Sequence, residues 1–234
     1  MSRRILVTGA TSGIGAATAR RLVEDGQQVV ALGRSREKLA ALDGMETVLC
    51  DLAQPDTVEA ALDRIRAGGP LDGLVSNAAE VVYETPLRLP VARWRRLLEI
   101  NLLGSIQLLS GLSDHLADGA QIVWVSSVTS GAAPNPRFAP YALTKAALDD
   151  YMSAVRRELL PRGIRVTRIA PGLVDTPIYG KVDGFARTEA RIRQALPQWL
   201  AADDVAETIH WVLSRPAHVG VVDLTLAPLG QDVA

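Results

Sequence analysis

The chain has 234 residues, of which 48% are hydrophobic and 22% are charged, an ordinary composition for a globular protein. Its 25 basic and 26 acidic residues leave a formal net charge of −1, which excludes a strong field directed at nucleic acid or an anionic membrane. No uninterrupted apolar stretch of roughly 18 residues occurs, so no membrane span is predicted. We therefore expect the partners to be small molecules and further copies of the same chain.

The single cysteine and the three histidines indicate neither a disulfide framework nor a metal site. Cys50 is the only cysteine, and it follows the apolar residues "TVL", so we expect a buried thiol in a reducing compartment. The start "MSRRILVTGATSG" has too few apolar residues for a signal peptide, and the cytoplasm is the predicted location. His115, His210 and His218 lack ligand spacing, so no metal is predicted.

Strand-like and helix-like segments alternate along the chain. In chain order the predicted strands are "RRILVTG", "QQVVALG", "METVLCD", "LDGLVSN", "QIVWVSS", "IRVTRIA" and "VGVVDLTLA". The predicted helices are "GIGAATARRLVEDG", "PDTVEAALDRIRAGG", "NLLGSIQLLSGLSDHLADG", "YALTKAALDDYMSAVRRELL" and "DDVAETIHWVLSRP". The strands are apolar along their whole length, so both faces of the sheet should be covered. The pattern predicts one α/β domain over residues 1–234, a Rossmann-type doubly wound parallel sheet of about seven strands with helices on both faces.

A glycine-rich turn, "TGATSGIG", follows the first predicted strand and opens a helix. Its glycines would let the backbone turn tightly and approach a pyrophosphate, which the positive end of the helix would stabilise. The alternative is an ordinary strand-to-helix turn, but this position in the chain favours phosphate binding. The predicted phosphate-binding residues are Gly9, Thr11, Ser12, Gly13, Ile14 and Gly15.

The end of the second predicted strand bears on the choice of dinucleotide. An NAD site of this kind usually has an acidic residue there to accept from the ribose hydroxyls. Glu24 and Asp25 come before that strand begins, and Arg34 and Ser35 stand at its end. Because a guanidinium can pair with a 2′-phosphate, NADP(H) is predicted in preference to NAD(H), which is the weaker option. The alternative for Arg34 is a solvated side chain at a helix start.

The stretch "YALTK" places Tyr141 and Lys145 four residues apart, on one face of a predicted helix. A tyrosine with an ordinary pKa near 10 is a poor acid or base at neutral pH, and a neighbouring ammonium would lower that pKa. The fifth predicted strand ends in "VWVSS", which brings Ser126 or Ser127 to the same edge of the sheet. A hydroxyl there can donate to a carbonyl oxygen, so these groups suggest acid–base chemistry at a carbonyl.

In this order, "TGATSGIG", "CDL", "SNAA", "EINLLG", "VSS", "YALTK" and "APGLVDTP" resemble the short-chain dehydrogenase/reductase family over nearly the whole chain. The resemblance implies an NADP(H)-dependent oxidoreductase that moves a hydride between the nicotinamide and a carbonyl or alcohol. Tyr141 would be the acid–base group, and Lys145 would lower its pKa and hold the nicotinamide ribose. Ser127, the later serine of the pair, would polarise the substrate, and Asn101 would keep a water in the proton relay.

The same resemblance extends the set of site residues. The implied catalytic residues are Asn101, Ser127, Tyr141 and Lys145. The implied cofactor contacts beyond the glycine turn and Arg34-Ser35 are Asp51, Leu52, Asn77, Ala78, Ala79, Tyr141, Lys145, Pro171, Gly172, Val174 and Thr176. The sequence departs from the family at Ala79, where glycine is usual, and its methyl group would cause strain if that position needs a positive φ. The alternative role for Asn77 and Asn101 is capping of turns and helix ends.

The substrate is expected among "AAEVVYETPLR", "TSGAAPNPRFAP" and "DTPIYGKVDGFARTEARIRQALPQW". The last segment, around residues 173–200, contains Gly180 and Gly184 and few other structural signals, so a mobile substrate lid is predicted there. Arg93, Arg95 and Arg96 would face either an anionic substrate or, more simply, solvent.

Two further expectations concern assembly and competing functions. The helices beginning at Asn101 and Tyr141 are apolar on more than one face, which together with the resemblance predicts a homodimer or homotetramer. The alternative to an enzyme is a catalytically silent NAD(P)-binding regulator, which would tend to lose the tyrosine or the lysine. A serine hydrolase would need Gly-x-Ser-x-Gly, and "GATSG" places its serine one position late. Sugar-nucleotide epimerases are usually longer and space their glycines differently.

Overall fold

A computed structural model describes residues 2–131 and 135–232. The strands are β1 Arg4–Thr8, β2 Gln28–Gly33, β3 Glu46–Leu49, β4 Leu71–Ser76, β5 Leu116–Val125, β6 Arg165–Pro171, β7 Val174–Asp175, β8 Leu200–Ala201 and β9 Asp223–Leu226. The α-helices are α1 Gly13–Glu24, α2 Arg36–Ala40, α3 Pro55–Ala67, α4 Val91–Leu98, α5 Gly104–Leu112, α6 Ala139–Leu159, α7 Ala186–Ala195 and α8 Ala202–Leu213. A π-helical turn, Glu99–Leu103, joins α4 to α5.

Seven strands form one parallel sheet in the order β3-β2-β1-β4-β5-β6-β9. This confirms the predicted α/β class and the doubly wound topology. The direction of winding reverses between β1 and β4, and in such sheets a ligand crevice opens beyond the carboxyl ends of the strands at that point. The short strands β7 and β8 pair separately, also in parallel, beyond the end of β6.

Alternate residues of the central strands serve two separate cores. In β1, Leu6 packs into the core formed with α3, α5 and α6, while Ile5 and Val7 pack into the opposite core with α1 and α8. All three side chains are 0% exposed. Burial on both faces explains why these strands are continuously apolar, because successive strand residues point to opposite sides of the sheet.

One helix starts and ends earlier than the sequence predicted. The helix expected to begin at Asn101 starts at Val91, directly after Pro90, and continues through the π-helical turn into α5. The prediction also continued this helix to Gly119, whereas β5 already begins at Leu116. The start was missed because α4 is rich in arginine, so the apolar run at the later turns dominated the pattern.

The segment predicted to be a mobile substrate lid contains regular structure. It holds a 3₁₀ turn at Tyr179–Lys181, the ten-residue helix α7 and the short strand β8. The residues of α7, "ARTEARIRQA", are mostly strong helix formers, and the two glycines of this segment precede them. The segment therefore has more regular elements than its sequence indicated, and its mobility stays a prediction.

The lone cysteine lies where the sequence placed it. Cys50 is free and 2% exposed at the end of β3. Burial raises the pKa of its thiol to about 11, so it stays a neutral thiol at neutral pH. Within the described part of the chain, no helix combines the length and apolarity that crossing a membrane requires.

Candidate active site

Two adjoining cavities open at the carboxyl edge of the sheet, beside the reversal of strand order. The first, of about 580 Å³, is bounded by the glycine turn after β1, and we name it the glycine cavity. The second, of about 350 Å³, contains Tyr141, and we name it the tyrosine cavity. The residues that line both are Ile14, Asn77, Ala79, Val81, Thr176 and Ile178. One extended ligand could therefore occupy both.

The glycine turn has the shape that a phosphate group needs. Gly9 and Gly13 have φ values of 68° and 53°, a backbone conformation that side chains strain. A Cβ at Gly15 would collide with the carbonyl oxygen of Gly9. At the start of α1 the side chain of Ser12 makes no capping hydrogen bond, which leaves the first N–H groups of the helix for a ligand.

The end of β2 supplies a guanidinium to the same cavity. Arg34 lines the glycine cavity, and its side chain is 53% exposed. The hydroxyl of Ser35 accepts from the backbone N–H of Lys38 at 3.3 Å and so caps α2. Across the cavity, Asp51 and Leu52 also contribute to the lining. The structure thus brings these four predicted cofactor residues to one cavity.

Glu80 is a charged residue of the glycine cavity that the sequence analysis missed. Its carboxylate lies 3.9 Å from Arg34, 3.4 Å from Arg93 and 3.3 Å from Arg96. Arg93 and Arg96 therefore face the glycine cavity rather than the tyrosine cavity, and Arg95 lines neither. The available signal was an acidic residue directly after "SNAA", where β4 has just ended.

Asn77 and Ala79 hold the end of β4 in place. The Asn77 amide donates to the carbonyl of Thr8 at 3.0 Å, and the Thr8 hydroxyl accepts from the backbone N–H groups of Asn77 and Ala78. These bonds join the ends of β1 and β4, which is the structural alternative considered for Asn77. No described non-glycine residue has a positive φ, so the methyl group of Ala79 is accommodated without backbone strain.

The side chain of Asn101 is fully committed to structure. It accepts from the backbone N–H of Glu80 at 2.8 Å and donates to the carbonyl of Glu80 at 2.8 Å and the hydroxyl of Thr144 at 3.0 Å. Asn101 is 1% exposed and its side chain lines neither cavity. It therefore fastens the segment after β4 to α6, from within a π-helical turn of the kind often found at functional sites.

Ser127, Tyr141 and Lys145 meet in the tyrosine cavity. The Ser127 hydroxyl lies 2.9 Å from that of Thr129 and close enough to Tyr141 to lower its pKa. The neighbouring Ser126 turns its hydroxyl away, toward Asp149 at 2.8 Å. Lys145 donates to the carbonyl of Val125 at 2.7 Å, and its Nζ lies 5.8 Å from the centre of the Tyr141 ring.

Burial has the largest effect on the pKa values of Tyr141 and Lys145. It raises the pKa of Tyr141 above its ordinary value, with Tyr179 and Asp149 acting in the same direction and Ser127 opposing them. Burial also lowers the pKa of Lys145 to about 8, against the opposing effect of Asp149. The pKa of Tyr141 therefore shifts opposite to the direction that the Tyr-Lys spacing suggested, because removal from water outweighs the hydrogen bond with Ser127.

The carboxylate of Asp149, on α6, is hydrogen-bonded to residues on β5, directly after β5 and on β6. Asp149 accepts from Nε1 of Trp124 at 2.7 Å, the hydroxyl of Ser126 at 2.8 Å and Nε of Arg168 at 2.8 Å. Arg168 continues to Ser130 at 2.8 Å, which braces the turn that carries Ser127. The sequence offered one clue, since Asp149 follows Lys145 by four residues on the same helix face.

The remaining predicted residues also lie at this edge. Pro171, Gly172, Val174 and Thr176 line the tyrosine cavity. From the predicted substrate segments, the cavity lining includes Val81, Thr129, Asn135, Phe138, Ile178, Tyr179 and Ile192. Residues 132–134 of "TSGAAPNPRFAP" lie outside the described part of the chain.

The wound parallel sheet, the glycine turn at its reversal point and the tyrosine–lysine pair in the adjoining cavity define a Rossmann-type oxidoreductase. The chain belongs to the short-chain dehydrogenase family, whose model matches residues 3–185.

Individual relatives support the same assignment. The chain is 33% identical to a serine 3-dehydrogenase of Rhizobium radiobacter, over 100% of this chain and 97% of that protein. It is 36% identical to a cis-4-hydroxycyclohexanecarboxylate dehydrogenase of Sinomonas cyclohexanicum, over 92% and 90% of the two chains. Among solved structures, a short-chain dehydrogenase of Burkholderia cenocepacia in complex with NADP matches with a TM-score of 0.84 and 32% identity, over 96% of each chain.

Proposed function

We propose that this protein is an NADP(H)-dependent oxidoreductase that interconverts a small-molecule carbonyl and the corresponding alcohol, with Tyr141 as the acid–base residue. The observation that carries the proposal is the meeting of Ser127, Tyr141 and Lys145 in a buried cavity that continues into the cradle of the glycine turn. The Burkholderia cenocepacia structure, which contains NADP, supports the choice of cofactor.

In the proposed complex, each cavity binds a different part of the cofactor. In the glycine cavity, Gly9, Gly13 and the start of α1 would hold the pyrophosphate, and Arg34 would pair with the 2′-phosphate. Asp51 and Leu52 would contact the adenine. In the tyrosine cavity, Lys145 would hold the nicotinamide ribose, and the predicted residues between 171 and 176 would surround the carboxamide. When bound, NADPH supplies the hydride that reduces a carbonyl carbon and leaves as NADP⁺.

The protein's own groups handle the proton. The raised pKa of Tyr141 keeps its phenol protonated at neutral pH, so it can give its proton to the carbonyl oxygen as that oxygen gains charge. Ser127 would donate a hydrogen bond to the same oxygen. Lys145, which is charged below pH of about 8, stabilises the phenolate left on Tyr141. In the oxidative direction the phenolate takes the alcohol proton back.

The proposed homodimer or homotetramer rests on apolar side chains that the single chain leaves exposed. Leu103, at the end of the π-helical turn before α5, is 55% exposed, and Leu143 on α6 is 50% exposed. Both lie on the helices that were predicted to be apolar on several faces. Light scattering at micromolar concentration should give at least twice the mass of one chain, and a monomer would contradict this proposal. A cytoplasmic location remains a prediction that rests on the free, buried Cys50.

The function is tested by titrating the purified protein with NADPH and, in parallel, with NADH, following the fluorescence of the reduced nicotinamide. We expect micromolar binding of NADPH and much weaker binding of NADH. The same samples are then assayed for NADPH consumption with a panel of aldehydes and ketones. Cofactor binding without turnover of any carbonyl would favour a silent binding protein, and binding of neither cofactor would contradict the proposal.

A further inference from the structure

The lining of the tyrosine cavity is almost free of charge. Among its described residues, Lys145 is the only one with a formal charge at neutral pH, and no aspartate, glutamate, arginine or histidine contributes. Most of the remaining lining is aliphatic or aromatic, including Val81, Phe138, Ile178 and Ile192. Buried carboxylates and sulfonates in proteins are paired or hydrogen-bonded, because leaving them unpaired away from water is costly. This lining provides one cation for pairing, and its other hydrogen-bonding side chains are neutral: Asn77, Ser126, Ser127, Thr129, Asn135, Tyr141, Thr176, Tyr179 and Gln231.

Aromatic rings form the wall behind the cavity. Phe138 and Tyr179 line it, and Phe185, which is 0% exposed, lies behind them with ring centroids 5.4 and 5.3 Å away. Tyr83 completes the packing, 5.0 Å from both phenylalanines. Both phenylalanines and three of the four tyrosines of the chain belong to this cluster, counting Tyr141. Half of the ten phenylalanine, tyrosine and tryptophan residues of the chain thus lie in this one cluster.

Hydrogen bonds fix this wall and occupy its polar atoms. The Tyr83 hydroxyl lies 3.0 Å from the Thr188 hydroxyl on α7 and accepts from the Asn135 amide at 3.0 Å. The amide oxygen of Gln231 accepts from the backbone N–H of Leu173 at 2.8 Å. The contact with Thr188 joins α7 to the segment after β4, and together these bonds leave fewer polar atoms for a ligand.

The nearby arginines have partners of their own. Arg193 pairs with Asp175 at 2.8 Å and with Glu189 at 3.0 Å, and its guanidinium stacks 3.9 Å from the ring of Trp199. Neither Arg193 nor Arg137 contributes to the cavity lining. Lys145 would be engaged by the cofactor and by Tyr141. A negatively charged substrate group would therefore find no cation of its own among the described residues.

We infer that the substrate of this enzyme is an uncharged ketone or aldehyde with an aromatic or bulky aliphatic substituent, and that carboxylate, sulfonate and amino-acid substrates are disfavoured. The inference rests on the proposed function, because it concerns the second ligand of the same site. It separates this chain from the relatives whose names specify serine and a cyclohexanecarboxylate, both of which carry a carboxylate at neutral pH.

The test compares two substrates that share the reacting end and differ at the other end, where one carries a neutral ethyl ester and the other a carboxylate. Ethyl benzoylformate and benzoylformate share the phenyl ring and the ketone, but only the second carries a carboxylate at about pH 7. With NADPH in excess, we expect kcat/KM to be at least about 100-fold higher for the ester, because the acid must lose its hydration without gaining a counterion. An equal value, or a preference for benzoylformate, would overturn the inference.

A binding measurement separates failure of the inference from failure of the proposed function. Calorimetric titration with each compound in the presence of NADP⁺, and again without it, reports on the cavity whether or not turnover occurs. Binding of the ester with at least about tenfold preference supports the selectivity of the cavity for uncharged ligands, and absence of turnover in the same samples would then count against the proposed function alone. Preference for the acid, or binding of neither compound, would overturn the inference.

A positive charge placed in the cavity wall should shift the preference toward the acid. Ile192 lines the cavity from α7 and packs against the aromatic cluster. Ile192→Arg should change the ester-to-acid ratio of kcat/KM by at least about tenfold toward the acid, because it supplies the missing cation. Ile192→Met, which keeps the wall apolar at similar volume, is the matched control and should leave the ratio within about twofold. An unchanged ratio in a folded Arg variant would count against the inference.

Discussion

The two cavities of this enzyme lie side by side but differ in chemical character. Seven charged side chains line the glycine cavity: Arg34, Lys38, Asp51, Glu80, Arg93, Arg96 and Asp183. The tyrosine cavity has only Lys145 and is walled by aromatic and aliphatic groups. A dinucleotide carries several phosphate charges at one end, whereas the reacting carbonyl must be desolvated at the other. Under the proposed function, the charged cavity would hold the phosphate groups and the largely apolar cavity would hold the reacting carbonyl.

The difference between the two cavities also explains the direction of the pKa shifts of Tyr141 and Lys145. In the tyrosine cavity, burial shifts the pKa of both Tyr141 and Lys145 toward their neutral forms. In the glycine cavity, Glu80 is surrounded by guanidinium groups, so charge is balanced by charge. Substitutions at the two ends should accordingly affect different measurements, rate at one end and cofactor affinity at the other.

The largest expected effect belongs to the hydroxyl of Tyr141. Tyr141→Phe should lower kcat by about 10³-fold, because the proton donor is lost while the ring keeps its packing. The dissociation constant for NADPH should change by less than about threefold, because the phosphate groups would bind in the glycine cavity, away from the Tyr141 hydroxyl. Tyr151→Phe on the same helix, whose hydroxyl faces Ser110 at 3.5 Å, is the control. A Phe variant that keeps a large part of the wild-type rate would exclude Tyr141 as the acid.

The next effect concerns affinity rather than rate. Arg34→Ala should weaken NADPH binding by about 10- to 100-fold, the range expected for a lost charge-assisted hydrogen bond to the 2′-phosphate. NADH has no such phosphate, so its binding should change by less than about twofold. Fluorescence titration measures both. Arg36→Ala, two residues away and outside both cavities, is the matched control. Equal losses for NADPH and NADH would show that Arg34 does not read the phosphate.

The low pKa of Lys145 should appear as a pH dependence of stability. Its pKa of about 8 in the folded protein lies below the ordinary value of 10.5. Between these two values the unfolded chain therefore binds more protons than the folded protein. Burial of the Lys145 ammonium destabilises the folded protein fully below pH 8, and this destabilisation is lost as pH rises toward 10.5.

Between about pH 7.5 and pH 9.5, the free energy of unfolding of the wild type should rise by about 2 kcal/mol relative to that of Lys145→Met. Urea denaturation at the two pH values measures this difference. Substitution of the exposed Lys38 by Met serves as the control and should show no such trend relative to the wild type. A pH-independent difference between the wild type and Lys145→Met would mean that Lys145 keeps an ordinary pKa.

The smallest expected effect tests the carboxylate below the site. The charge of Asp149 raises the pKa of Lys145, so Asp149→Asn should lower that pKa further. The charged fraction of Lys145 at pH near 8 then falls, and the alkaline loss of kcat should begin at lower pH, with a several-fold lower rate at about pH 8. The pH dependence of kcat measures it. The exposed neighbour offers the control Asp150→Asn, which should leave the profile unchanged. A uniform loss at every pH would assign Asp149 to structure alone.

The sequence by itself determined the features that depend on neighbouring residues. Continuous apolar strands identified the buried parallel sheet, and the spacing of Gly9, Gly13 and Gly15 identified the turn before α1. The four-residue spacing of Tyr141 and Lys145 placed them on one helix face, and the structure has them on α6. Such features are readable because strand alternation, tight turns and helical spacing act over a few residues.

Tertiary structure alone decided the relations between distant segments. In the folded protein, the hydroxyl of Ser126 donates to Asp149, whereas that of Ser127 lies beside Tyr141. Asn101 accepts from the backbone N–H of Glu80, which is 21 residues away in the chain. The fold also gathered the aromatic wall from segments around Tyr83, Phe138 and Phe185. Burial and pairing of this kind depend on which segments the fold brings together, and no local pattern records that. The same physical reason explains why the glycine turn could be predicted from the sequence and the apolar lining of the tyrosine cavity could not.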